Sequence, residues 1–154
     1  MTDFEDVIDG IKSIMVSHLN NKLDQISTEK GDSIPLPHIV DSGYYLQSNN
    51  DEIINADPFI AYGISDVENE SQGPHSIEKL MIHVHVIISE RGRADINRVM
   101  FRYSRALKEI FEEHWQMLSP SCRIYVSRLN VVPFESLDGS EQYKAIGIEL
   151  NITI

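Results

Sequence analysis

His83-Val84-His85 is the pairing in this chain that most invites a metal ion. Residues two apart on a strand project to the same side, so two imidazoles could share an ion. A structural zinc site uses about four ligands and a catalytic one about three. His75 is a further candidate, but nothing in the pattern brings it to the pair. Ligand count therefore favours two half-exposed histidines on a solvent or interface face, and no metal is expected. His38, Asp41 and Ser42 supply the residue types of a hydrolase triad. Triads are defined by geometry, and no Gly-x-Ser-x-Gly elbow is present. Cys122 sits in Pro120-Ser-Cys-Arg123, where Arg123 could lower its pKa, but no histidine is near in sequence. It reads as a small apolar residue. Phosphate-cradling glycine loops and dinucleotide fingerprints are absent. No catalytic residue and no cofactor is expected.

The charged residues are more informative. Arg98, Arg102 and Arg105 fall at steps of four and three, which predicts a basic ridge opposite a helix's apolar stripe. The chain's formal net charge is −11, from 24 acidic and 13 basic residues. Against that background the ridge points to a complementary acidic partner, such as a neighbouring copy. The plainer reading is a solvated face with Glu109 and Glu112 nearby. Glu112 and Glu113 beside His114 read the same way. Asp66, Glu68 and Glu70 crowd one stretch, and Asp138 precedes Gly139 in a strong hairpin-turn pair. An acidic surface repels phosphate backbones, which argues against conventional nucleic-acid binding. It serves solubility, or a surface that DNA passes without sticking.

The elements that must position these residues fit one domain, residues 1–154, as the length of 154 allows. No apolar run approaches the ~18 residues of a membrane span. The start, Met1-Thr-Asp-Phe-Glu-Asp6, is acidic and lacks the features of a secretory leader. One cysteine cannot form an internal disulfide, which fits a reducing place of folding.

A first helix is predicted over about Asp3 to Ile26. Its apolar residues Phe4, Val7, Ile8, Ile11, Ile14, Met15, Leu19, Leu23 and Ile26 line one face. Thr2 and Glu5 have capping-box spacing, and Gly10 is a mild penalty. A long irregular connection follows, about 27–58, with short ordered pieces at Ile39-Val40 or Tyr44–Leu46. Phe59–Ile64 reads as a strand, Ser65–Ser76 as a loop, and Ile77–Ser89 as a strand that alternates in polarity. Met81 and Ile87 fall on its mixed, outer face. A second helix spans about Ala94 to Leu118, with the stripe Ile96, Val99, Met100, Tyr103, Leu107, Ile110, Phe111 and either His114 or Trp115. Strands at about Arg123–Val132 and Tyr143–Ile154 close the chain.

The last hairpin permits a finer expectation. Ile124 and Val126 share one parity, and Leu129 and Val131 the other. Pairing Leu129 with Ile148 and Val131 with Ile146 centres the turn on Asp138-Gly139. Pairing Ile124 with Ile152 and Val126 with Leu150 shifts the register by one residue. A single β-bulge near Ser127–Arg128 reconciles the two.

The order is therefore α-β-β-α-β-β. The fold class expected is α+β: a mainly antiparallel, four-stranded sheet with two helices packed on one face. The opposite face is left polar and free.

This pattern resembles the tail-terminator and head–tail joining (tail completion) proteins of tailed bacteriophages. The resemblance rests on Ile77–Ser89 (IEKLMIHVHVIIS), on Asn97–Glu113 (NRVMFRYSRALKEIFEE), on Ala145–Ile154 (AIGIELNITI) and on the element order. It implies a ring-forming structural protein, typically hexameric, in the virion neck and assembled in the host bacterial cytoplasm. The ring would cap the tail tube protein, meet the head connector protein, and let DNA pass through without specific binding. Candidate partner or lumen contacts are Asp66, Glu68, Glu70, Arg98, Arg102, Arg105 and Asp138, the last at a hairpin tip spanning Glu135–Glu141. The polar segment 27–58 departs from the family pattern. Two other classes remain open: a metal-dependent enzyme using His83 and His85, and a small adaptor domain that forms no ring.

Overall fold

The computed structural model describes residues 3–47, 56–72, 75–89, 95–118, 123–135 and 142–153. Helix α1 (Phe4–Lys30) begins one residue later than expected, with Asp3 rather than Thr2 as its cap. Asp3 accepts from the Asp6 amide at 2.8 Å, and the Asp6 carboxylate accepts from the Asp3 amide at 3.3 Å. This reciprocal pair satisfies two amides that helix geometry leaves orphaned. The helix continues past Ile26 to Lys30 and stops at Gly31, whose φ of 64° suits the left-handed cap conformation. Val7, Ile8, Ile11, Ile14, Met15, Leu19, Leu23 and Ile26 are all buried, as their spacing requires.

The irregular connection is thus shorter than predicted, and it is pinned. Asn20 donates to the Ile39 carbonyl at 3.0 Å and accepts from the Ile39 amide at 2.9 Å. Leu36 and Ile39 are buried beside it, and the Tyr103 hydroxyl donates to the Pro37 carbonyl. A single 3-10 turn (Asp41–Gly43) leads to the short strand β1 (Tyr44–Leu46).

Strand β2 (Phe59–Gln72) pairs antiparallel with β3 (His75–Ser89). Residues 65–72, expected as loop, continue the strand. A register shift between Ile64 and Asp66 carries the ladder past the change in parity, so Val67 lies opposite Leu80. Helix α2 (Ile96–His114) ends in a 3-10 turn (Trp115–Met117). Strands β4 (Arg123–Glu135) and β5 (Gln142–Thr153) form the closing hairpin.

The sheet has five strands in the order β1-β2-β3-β5-β4. The four long strands are antiparallel, as expected. β1 adds a fifth, parallel to β2 at one edge. In β4 the register shifts between Val126 and Arg128, with Ile124 opposite Ile152 and Leu129 opposite Ile148. The predicted bulge is present at the predicted place.

One core unites the elements. Leu80, Ile82, Val84, Val86 and Ile88 of β3 and Ile146, Ile148, Leu150 and Ile152 of β5 are buried with the stripes of α1 and α2. Each such side chain stabilises the fold by about 1.5–3 kcal/mol relative to exposure. Gly10 lets α1 approach the end of α2 closely. A Cβ there would lie 2.3 Å from Leu118 Cδ2. No helix among the described residues is long and apolar enough to cross a membrane.

Candidate functional site

Both helices cover the same sheet face, so the other face belongs to odd-numbered residues of β3 and β5. No described helix packs on it. At one end Ala61, Ile87 and Ala145 form a small cluster under Phe59 and Tyr143. Ile87 is therefore buried, not exposed as its position in the alternation suggested, because two aromatic rings flank it. The middle of the face carries His83 and His85.

The histidines are set by glycines on the adjacent strands. Gly63 lies opposite His83 and Gly147 opposite His85. A Cβ at Gly147 would fall 1.9 Å from His85 Cδ2, and one at Gly63 would lie 3.4 Å from His83 Cε1. Each imidazole thus leans across a neighbouring backbone that has no side chain, which is the positional use of strand glycine. The ring centroids are 5.3 Å apart with planes tilted by 33°. His83 Nε2 hydrogen-bonds Gln47 Oε1. The carboxylate side chain facing His83 across the ladder is Glu149.

Burial lowers the pKa of His83, and Glu149 opposes that shift. Burial also lowers that of His85, helped by His83 and opposed by Glu149. Both rings are neutral at neutral pH, so each has one acceptor nitrogen. Among the described residues no group of three or more His, Cys, Asp or Glu is placed to hold a metal ion. His38 turns to Asp24, with Nε2 2.7 Å from Oδ1, and so its Nε2 is engaged away from Asp41 and Ser42. His114 stacks on His18, ring centroids 3.6 Å apart and planes within 5°. Among the described residues this face carries His83, His85 and Glu149 in its middle and the Ala61, Ile87 and Ala145 cluster at one end.

The three arginines of α2 divide. Arg102 is only 7% exposed and donates to both carboxylate oxygens of Asp32, beyond the end of α1. Arg105 pairs with Glu29 on α1 and, at 3.0 Å, with Glu109 one turn on. Two members of the predicted ridge thus face α1 and find acidic partners within the chain. Arg98 is exposed and has no ion pair among the described residues. It lines a groove of about 470 Å³ with Lys30, Asp32, Phe101, Arg102 and Arg105. Phe101 is 57% exposed there.

Asp66 and Glu68 lie on β2 beyond the bulge, opposite Met81 and Lys79, and both are exposed. Glu70 occupies the register position opposite Ile77. Among the described residues β5 pairs with β3 as far as Lys79, and residues 69–72 of β2 and 75–78 of β3 pair only with each other. Asp138, Cys122 and residues 136–141 of the hairpin tip lie outside the described residues. Sequence reasoning missed Gln47, Lys30, Asp32 and Phe101. Gly63 and Gly147 inside strands were the available signal for the histidine wall. An aromatic beside the arginines was the signal for the groove.

No family model matches the chain, and no curated protein matches it. Among solved structures, one aligns over 91% of this chain and 94% of its own, at 10% identity and a TM-score of 0.35. Likeness at that level carries no argument about function.

Proposed function

We propose that this chain is a structural, non-catalytic ring subunit of a phage or prophage particle, placed at the head-proximal end of the tail. The observation that supports this reading is the one-sided sheet. Two helices cover one face, while the other presents Met81, His83, His85, Glu149, Asn151 and Thr153, all partly exposed. A face of small and polar groups suits a wall shared with other copies or lining a wet channel. The net charge of −11 suits a channel through which DNA slides without binding. In this reading the tail tube protein and the head connector protein are the axial partners, and the ring is typically a hexamer in the virion neck. Asp66, Glu68, Glu70 and Asp138 are the acidic contacts of partner or lumen.

Size-exclusion chromatography with light scattering at high protein concentration, combined with sedimentation of tail tubes, tests the proposal. Closed oligomers of one size, or protein retained on tube ends, support it. A strict monomer that leaves the tubes bare overturns it.

A further inference from the structure

The arginines of α2 leave one cation over. Arg102 gives both terminal nitrogens to Asp32, and Arg105 is held by Glu29 and Glu109. Arg98 adds to the field that lowers Asp32 but makes no ion pair among the described residues. Lys30, in the last turn of α1, makes none either. Both are exposed and line one groove with Phe101. That groove gathers four cations around the single carboxylate of Asp32, on a chain of net charge −11.

The needs of the helices account for Lys30 but not for Arg98. A cation near a helix C-terminus is favoured by the macrodipole, and Lys30 stands there. Arg98 stands in the first turn of α2, where the macrodipole disfavours a cation, and that turn has no acidic side chain. The first turn of α1, by contrast, carries Glu5 and Asp6. Phe101 follows Arg98 by three positions, so the two share a helix face, and its ring is 57% exposed.

These residues select an occupant. Inorganic phosphate would use the cations and leave Phe101 in water. A nucleic acid brings a charged backbone that the rest of this surface repels. A protein segment with carboxylates and a bulky apolar side chain satisfies both kinds of group, and Arg98 can take a carboxylate through two nitrogens. The groove, about 470 Å³, falls within the roughly 300–1,000 Å³ of ligand pockets, room for a few residues of such a segment.

We propose that the groove between α1 and α2 docks an acidic segment of another protein, with its carboxylates on Lys30 and Arg98 and an apolar side chain on Phe101. The docking site stands apart from the ring reading, since a chain that forms no ring could hold it.

NMR titration of the isotope-labelled full chain tests it, with a capped Asp-Glu-Leu-Glu-Asp peptide as the probe. An Asn-Gln-Leu-Gln-Asn peptide, inorganic phosphate and a single-stranded oligonucleotide are the controls. With the acidic peptide, amide shifts clustered at Lys30, Arg98 and Phe101 are expected, at millimolar affinity that weakens with added salt. Lys30→Gln and Arg98→Gln should each weaken binding about threefold or more. Phe101→Ala should erase the preference for Leu over Ala at the central peptide position. All three side chains are exposed, so the variants should keep the native melting temperature. Equal binding of the amide peptide, tighter binding of phosphate or oligonucleotide at the same amides, or shifts that ignore the three substitutions overturn the docking site. So does the absence of any shift. None of these outcomes bears on ring formation, which light scattering reads separately.

Discussion

Arg102 donates from both terminal nitrogens to Asp32, at 2.9 and 2.5 Å, across 70 residues of sequence. This pair ties α2 to the segment leaving α1, and it makes one wall of the cationic groove. The hydrogen bonds from Arg102 hold the Asp32 carboxyl down at about 2, below its ordinary 3.8. A depressed carboxylate stabilises the fold above its unfolded pKa, and that contribution is lost as pH falls through the folded value. Asp32→Asn should therefore melt lower than the native chain at neutral pH. The two melting curves should converge between pH 3.8 and about 2. Thermal melts across that range check the pair, and curves that stay parallel contradict it.

His83 and His85 titrate in the same sense through a different cause. Burial holds both below the ordinary 6.5. The neutral rings stabilise the fold above pH 6.5, and this contribution fades as pH falls below it. Replacing both by Gln should flatten the pH dependence of stability between about 7 and 5. Imidazole proton shifts read by NMR give the direct check: either ring titrating above 6.5 would show the burial argument wrong.

Gly147 should resist any side chain. Gly147→Ala places a Cβ 1.9 Å from His85 Cδ2, so the ring or the strand must move. Overpacking of this kind costs about 1–3 kcal/mol. His85→Ala in the same chain should recover part of the loss. A double-mutant cycle by urea unfolding measures the coupling, expected to exceed about 0.5 kcal/mol. Strict additivity would mean that the two sites do not touch.

The β4 bulge predicts opposite outcomes for two deletions. Removing Ser127 leaves Val126 opposite Leu150 and Leu129 opposite Ile148, so both halves of the strand keep their faces. That variant should fold. Removing Asn130 instead brings Arg128 to the covered face opposite Ile148 if the flanking pairs are kept. A one-residue slip turns a strand's apolar set outward, and that variant should unfold. Comparing the two by circular dichroism and denaturant melts decides it.

The bulge in β4 was legible because four apolar residues on each strand constrain one another. Only one register change fits both Ile124/Val126 and Leu129/Val131 against Ile146–Ile152. The same signal existed in β2, where Ile60, Tyr62 and Ile64 share a parity that Val67 breaks. It was obscured by Asp66, Glu68 and Glu70, whose acidity resembles a loop. Asp66, Val67 and Glu68 are exposed, so little apolar burial marks this stretch of β2 as strand. Although Phe4 is only partly buried, and Arg102, Ser104 and Ala106 are buried outside the predicted stripe, the apolar helix stripes were largely legible, since burial follows the 3.6-residue period. The Arg102–Asp32 pair was not, because nothing local ties residues 70 apart. The pinning of Ile39 by Asn20 was hidden for the same reason.

Electron microscopy of particles from cells that make the intact chain, beside cells whose reading frame for it is interrupted, bears most directly on the proposed role. With the intact chain, tails of uniform length joined to heads are predicted. Without it, tails of abnormal length, or tails and heads lying apart, are predicted. Identical, fully joined particles in both cultures, or no particles in either, would contradict a ring at the top of the tail.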